Sequence, residues 1–218
     1  KALRGYLYQY LIDYSANNSF TILSGMTGTG KTEIIQQLDN AVDLEGAANH
    51  KGSSFGRPLD GQPVQINFEN RFTLDILKIE AAMPDTRIVL EDESRNIGAR
   101  HLPHYFSDHM SRSHFVVIEM DFEKRLERLW QEYVVERYLK TMAFYGATGE
   151  AEFASYLRES LLRVQKRLGG QRTKELLASM DSAIAIQHQD NFASHRDWLT
   201  GLTRDYYDPM YTYQLEKK

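Results

Sequence analysis

The sequence predicts an α/β fold: a P-loop NTPase-like parallel sheet flanked by helices, with a helical C-terminal region. Three observations lead there. Short apolar runs with β-branched members alternate with stretches of helical periodicity over residues 1–121. A glycine-rich loop, GMTGTGKT at Gly25–Thr32, follows the first such run. Beyond residue 121 apolar residues keep helical spacing and no run reads as a strand. The expected domains are a P-loop α/β core over 1–121 and a helical region over 122–218 packed on it.

In chain order, Leu3, Leu7, Tyr10, Leu11 and Tyr14 place an amphipathic helix over 2–14. Phe20–Ser24 reads as a buried strand ending at a glycine. After the loop, Ile34, Ile35 and Leu38 predict a helix over 32–38. Ala41–Leu44 reads as a second strand. The polar stretch His50–Pro63 reads as a long loop of the kind that carries function. Phe68, Phe72, Ile76 and Ile79 mark a helix; Arg87–Leu90 and Phe115–Ile118 are two more strands. Further helices are expected around Leu126–Tyr138, Phe153–Leu168 (stopped by Gly169-Gly170), 172–181 and 192–204.

The totals bound the function. A chain of 218 residues can bury a substantial core. Its 42% apolar and 26% charged residues are those of a soluble globular protein. A net charge of −4 means that any nucleic acid would meet a local basic patch, not the whole surface. The lack of cysteine excludes disulfides, thiolate catalysis and Cys-ligated zinc within this chain. With no apolar run of membrane-span length and no signal peptide, a cytoplasmic location and no membrane partner are expected. The start at Lys1 rather than Met is compatible with a piece of a longer protein.

Gly25-Met26-Thr27-Gly28-Thr29-Gly30-Lys31-Thr32 satisfies G-x-x-x-x-G-K-[ST] in full. Gly25, Gly28 and Gly30 let the backbone wrap closely enough for the N–H groups of Thr27–Thr32 to face an anion. The following helix adds its N-terminal dipole. Lys31 would neutralise the terminal phosphates and the Thr32 hydroxyl would ligate Mg2+. The loop alone does not say what lies beyond the phosphates, and ATP or GTP both fit it.

Ligands of parallel sheets gather at the carboxyl ends of strands. Acids stand at three such ends: Asp43 and Glu45, then Glu91, Asp92 and Glu93, then Glu119 and Asp121. Glu91 and Asp92 are the Walker-B-like candidates, with Mg2+ held between Thr32 and Glu91. Arg95 and Arg100 are the nearby cations that could relieve the repulsion. Asp121 also suits a helix cap.

Three weaker signals remain. His101, His104 and His109 raise a metal site for which no second ligand cluster is visible. Arg158, Arg163, Lys166, Arg167, Arg172 and Lys174 form a basic run with Glu159 as the only acid within it, either a phosphate-backbone track or a solvated helix face. The aromatic cluster YYDPMYTYQ, Tyr206–Gln214, could stack on bases, line an apolar pocket, or pack the tail on the core.

The segments DLEGAANHKGSSFG (Asp43–Gly56), LEDESRNIG (Leu90–Gly98) and YYDPMY (Tyr206–Tyr211), in this order after a P-loop, resemble the P-loop domain of bacterial tRNA 2-selenouridine synthases over nearly the whole chain. The resemblance implies modification of 2-thiouridine at the wobble position in the anticodon arm of tRNA. Geranyl diphosphate first alkylates sulfur, and selenophosphate then supplies selenium. It further implies a rhodanese domain with an essential cysteine. This sequence contains neither, so that domain would act in cis in a longer chain or in trans as a separate one. The resemblance turns the P-loop towards the diphosphate of the prenyl donor and makes the Arg158–Lys174 run a tRNA-binding candidate. Asp43, Glu45, Ser53, Ser54, Phe55 and Arg57 would form a substrate loop, with Phe55 or Tyr206–Tyr211 against the geranyl chain. Two other readings stand beside it: a nucleotide-dependent kinase or NTPase, and a non-catalytic tRNA-docking module.

Overall fold

The computed structural model describes residues 2–216. They divide into two compact units: residues 2–25 with 30–118, and residues 26–29 with 119–216.

The first unit is built on a four-stranded parallel sheet of order β2-β3-β1-β6. Its strands are β1 (Thr21–Gly25), β2 (Ala41–Val42), β3 (Val89–Glu91) and β6 (His114–Ile118). A two-residue antiparallel hairpin, β4 (Asn96–Ile97) and β5 (Arg100–His101), stands apart. Helices α1 (Ala2–Asn17), α2 (Lys31–Ile35), α3 (Leu44–Ala48), α4 (Gln65–Ala82) and α5 (His104–Met110) complete the unit. Residues Phe20, Ile22, Phe68, Phe72, Ile76, Ile88, Leu90 and Phe106 are fully buried in one core. The Phe68, Phe72, Phe106 and Phe20 rings follow one another at 5.2–5.4 Å between centroids, a tilted packing that adds to area burial. Leu7, Leu11 and Tyr14 bury one stripe of α1, as their spacing requires.

Register is what places the site. Leu23 pairs with Glu91, and Gly25 with Ile118. The glycine loop therefore leaves β1 beside the strand whose last residue is Glu91.

Two expectations are corrected here. The second strand is only Ala41–Val42; Asp43 instead caps α3, its carboxylate accepting the Gly46 N–H at 2.6 Å. The helix after the loop spans five residues, not seven, so its dipole is small and anion binding falls mainly to loop amides and Lys31. Pro103, which breaks the helical spacing of the histidine segment, is the residue that opens α5.

In the second unit, among the described residues, all regular elements are helical. They are α6 (Phe122–Trp130), α7 (Arg137–Tyr145), α8 (Gly149–Leu162), α9 (Gln165–Leu168), α10 (Gly170–Ile186), α11 (His195–Leu202) and α12 (Asp208–Leu215). A π-helical segment, Gln131–Glu136, carries α6 into α7, and another, Thr203–Tyr207, carries α11 into α12. Asp121 caps α6 by accepting the Glu123 N–H at 3.0 Å, and Gly169 at φ 90° ends α9. Phe153, Leu157, Leu161, Met180, Trp198, Leu199 and Leu202 are fully buried. Within that core His195 accepts the Trp198 indole N–H on Nδ1 at 3.0 Å, which leaves Nε2 to donate to Gln187 Oε1 at 3.3 Å. No helix of the described residues is long and apolar enough to cross a membrane.

Candidate functional site

The loop is built by glycine geometry. Gly28 (φ 87°) and Gly30 (φ 81°) lie in the left-handed region that other residues rarely enter. The Thr29 N–H closes a turn on the Met26 carbonyl at 3.2 Å, and the Thr29 hydroxyl donates to the same oxygen at 2.8 Å. Lys31 folds back so that Nζ donates to the Gly25 carbonyl at 2.5 Å.

Beneath Lys31 and Thr32 the first unit gathers carboxylates. Thr32 Oγ1 donates to Glu45 Oε2 at 3.1 Å. The Glu45 N–H donates to Glu91 Oε2 at 3.2 Å. Glu91 is 1% exposed, and its Oε1 is buried without a hydrogen-bond partner. Burial, then the charges of Glu45 and Asp43, push the Glu91 carboxyl up to about 8. Glu93 is likewise held well above the carboxylate range by burial and by Glu45 and Glu91, with Lys31 acting against them. Neither Arg95 nor Arg100 pairs with these acids; the opposing charge is Lys31. Asp92 turns the other way: it accepts a short hydrogen bond from the Ser24 hydroxyl, and its N–H donates to the Leu23 carbonyl at 3.0 Å. Of the two Walker-B-like candidates, Glu91 thus faces Thr32 and Glu45, while Asp92 is tied to β1.

The donor set suits a hard cation. An orphaned buried carboxylate oxygen, a neighbouring carboxylate and a hydroxyl are Mg2+ ligand types. Among the described residues no group of three or more His, Asp or Glu forms a metal cage. Mg2+ would then need phosphate oxygens or water as further ligands, its usual habit. His101 and His104 are engaged elsewhere, with Asn96 Oδ1 and Asp108 Oδ2, both at 2.8 Å.

The substrate-loop candidates are latched to this cluster through Glu45, which also accepts the Gly52 N–H. A side chain at Gly56 would collide with the Lys51 backbone carbonyl, so that glycine is sterically required; one at Gly52 would press on the Glu93 carboxylate, the movable end of a side chain. Ser53 accepts the Phe55 N–H on Oγ at 3.2 Å, and its carbonyl accepts the Gly56 N–H at 3.0 Å. Phe55 is 3% exposed, so it supports the loop from within; Ser54 and Arg57 are half-buried.

The basic run meets more acid than its own sequence contains. Arg158 pairs with Asp181 at 2.7 Å, Arg172 with Asp205 at 2.7 Å and Glu175 at 3.0 Å, and Arg163 with Glu159 at 3.9 Å. Arg167 lies on Met210 Sδ at 2.9 Å. Lys166 and Lys174 are exposed and, among the described residues, enter no ion pair. In the YYDPMY segment Tyr207 is buried and Asp208 takes a bidentate grip, 2.8 Å on each oxygen, from Arg125. Sequence reasoning missed Arg125. Its signal was a charged residue on the apolar face of α6, beside Leu126 and Leu129.

Sheet order, the glycine loop after the central strand and the acid ending the adjacent strand define a P-loop NTPase-like α/β protein. A family model described as the tRNA 2-selenouridine synthase AAA domain matches residues 18–218. Proteins named tRNA 2-selenouridine synthase are similar over the full chain: 48% identical in Pseudomonas fluorescens strain Pf0-1, 47% in Azotobacter vinelandii and 44% in Shewanella frigidimarina. The chain belongs to the tRNA 2-selenouridine synthase family, whose members modify tRNA. It spans 59% of the length of the first two relatives and 60% of the third. No solved structure matches it.

Proposed function

We propose that this chain is the part of a cytoplasmic tRNA 2-selenouridine synthase that binds the diphosphate of geranyl diphosphate and transfers the geranyl group to 2-thiouridine of tRNA. The observation that carries the reading is the convergence of Thr32, Glu45 and the orphaned Glu91 oxygen next to Lys31. In the transfer, the bond from the thiocarbonyl sulfur to geranyl C1 forms, the bond from C1 to the diphosphate oxygen breaks, and the N3 proton of the thiouracil ring passes to solvent. The electron pair leaves with the diphosphate. Lys31 and the amides of Gly28–Thr32 would stabilise that growing charge, an interaction stronger in the transition state than in the ground state. Mg2+ held by Thr32 and Glu91 would supply further charge neutralisation. The tRNA sulfur is itself the nucleophile, so the protein need not provide one. Exposed Lys166 and Lys174, with Arg167, are the members of the basic run left to meet tRNA phosphates.

Exchange of the geranylthio group for selenium from selenophosphate, and the rhodanese cysteine that the resemblance implies, are assigned to other parts of the whole enzyme. One observation favours a second reading, nucleotide binding: the matching family model is described as an AAA domain. The test is geranyl transfer to tRNA bearing 2-thiouridine, with Lys31→Ala. A loss of at least a hundredfold in rate is expected; retained transfer would sink the proposal.

A further inference from the structure

We infer that Arg125, clamped by Asp208, is a positioning residue for the phosphate loop, which ties the YYDPMY segment to anion binding; this rests on the diphosphate reading above. Arg125 is 3% exposed. A guanidinium so buried needs a fixed counter-ion. Asp208 supplies it, receiving Nη1 and Nη2 at 2.8 Å each, the parallel fork in which an arginine is held most rigidly. The same Nη1 also donates to the Thr27 carbonyl at 3.3 Å. All three residues belong to the second unit.

The consequence follows from peptide geometry. The peptide bond between Thr27 and Gly28 is trans and planar, so its N–H points opposite to its carbonyl. Fixing the Thr27 carbonyl on Arg125 therefore aims the Gly28 N–H away from α6. That amide is one of the group the loop motif uses to meet phosphate oxygens. A second contact holds the same spot. A Cβ built on Gly28 would lie 2.9 Å from both the Arg125 carbonyl oxygen and Leu129 Cγ. The loop backbone thus rests directly on α6, and Gly28 takes the left-handed conformation that this approach needs. Because Asp208 neutralises the guanidinium, Arg125 acts through backbone placement and not as a free cation.

Calorimetric titration with inorganic pyrophosphate and Mg2+ tests this, together with hydrogen exchange at the Gly28 amide. The variants are Arg125→Lys, which keeps the charge and loses the fork, and Asp208→Asn. Arg196→Ala is the control, removing the ion pair between Arg196 of α11 and Glu127 of α6, which does not touch the loop. Both test variants are expected to weaken pyrophosphate binding at least fivefold and to speed exchange at Gly28. The control should lose a similar few degrees of melting temperature and do neither. Wild-type affinity and exchange in folded Arg125→Lys would overturn the inference. Should Asp208→Asn fail to fold, Arg125→Lys alone decides. Lys31→Ala separates the two readings: if it keeps pyrophosphate affinity, the diphosphate reading falls, and exchange at Gly28 alone decides whether Arg125 holds the loop.

Discussion

The acidic cluster after β3 and the basic run of α8–α10 look alike in sequence, each a local excess of one charge, yet they end in opposite electrostatic states. The arginines of the basic run are largely balanced: Asp181 and Asp205 arrive from elsewhere in the second unit, and the adjoining Glu175 joins them, to pair with Arg158 and Arg172. The acidic cluster is not balanced. Arg95 and Arg100 stay out of it, and Glu91 keeps a buried oxygen without a partner. A protein retains such repulsion at a functional site more readily than in plain structure. What matters is therefore whether the rest of the fold brings counter-charges, which local composition does not reveal.

The largest expected effect is at the unbalanced cluster. Glu91→Gln should lower Mg2+-dependent pyrophosphate affinity at least tenfold. It should also change stability in the opposite sense. A carboxyl pushed up to about 8 holds a proton in the folded state that the unfolded chain has released above about 4.3. Its contribution is present below that value and is lost as pH rises through 8. Without Mg2+, the melting temperature of the wild type should fall between pH 6 and pH 9, and that of Glu91→Gln should fall less. Equal slopes would mean that the cluster is already neutralised and the contrast does not hold.

A smaller effect is expected at the basic run. Replacing both Lys166 and Lys174 by alanine should weaken tRNA binding several-fold and reduce the salt slope by about one to two. Arg158→Ala, whose charge is already taken by Asp181, should change affinity less than twofold. The reverse order would show that the ion pairs open on binding. The smallest effect concerns His195, which burial pushes down to about 4. A base with a lowered value contributes fully above its unfolded value of about 6.5 and loses that contribution as pH falls towards 4. Thermal melts should show a decline of a few degrees across that window that is shallower in His195→Gln.

Much of the fold was legible because strong local signals agreed with tertiary demands. The strand at Phe20–Ser24 lies one residue from the observed Thr21–Gly25, and Phe68, Phe72, Ile76 and Ile79 form the buried stripe of α4. Errors came where short-range chemistry competed with pattern. Val42-Asp43-Leu44 alternates like a strand, but the Asp43 carboxylate captures the Gly46 N–H and starts a helix. The hairpin Asn96–His101 has two residues per strand and turns at Gly98, φ 61°, too short for any period to register. At the site, the loop and Glu91 could be named from sequence, since spacing and strand ends carry them. Arg125 was harder: its place on the apolar face of α6 marks it as buried, but its role comes from Asp208, 83 positions away.

Whether the loop serves a prenyl diphosphate is decided by calorimetric titration of this chain with geranyl diphosphate, ATP and GTP, each with Mg2+, repeated on Lys31→Ala. Geranyl diphosphate is expected to bind most tightly, and Lys31→Ala to abolish the preference. Tighter binding of ATP or GTP, lost in the same variant, would contradict this and assign the loop to a nucleotide.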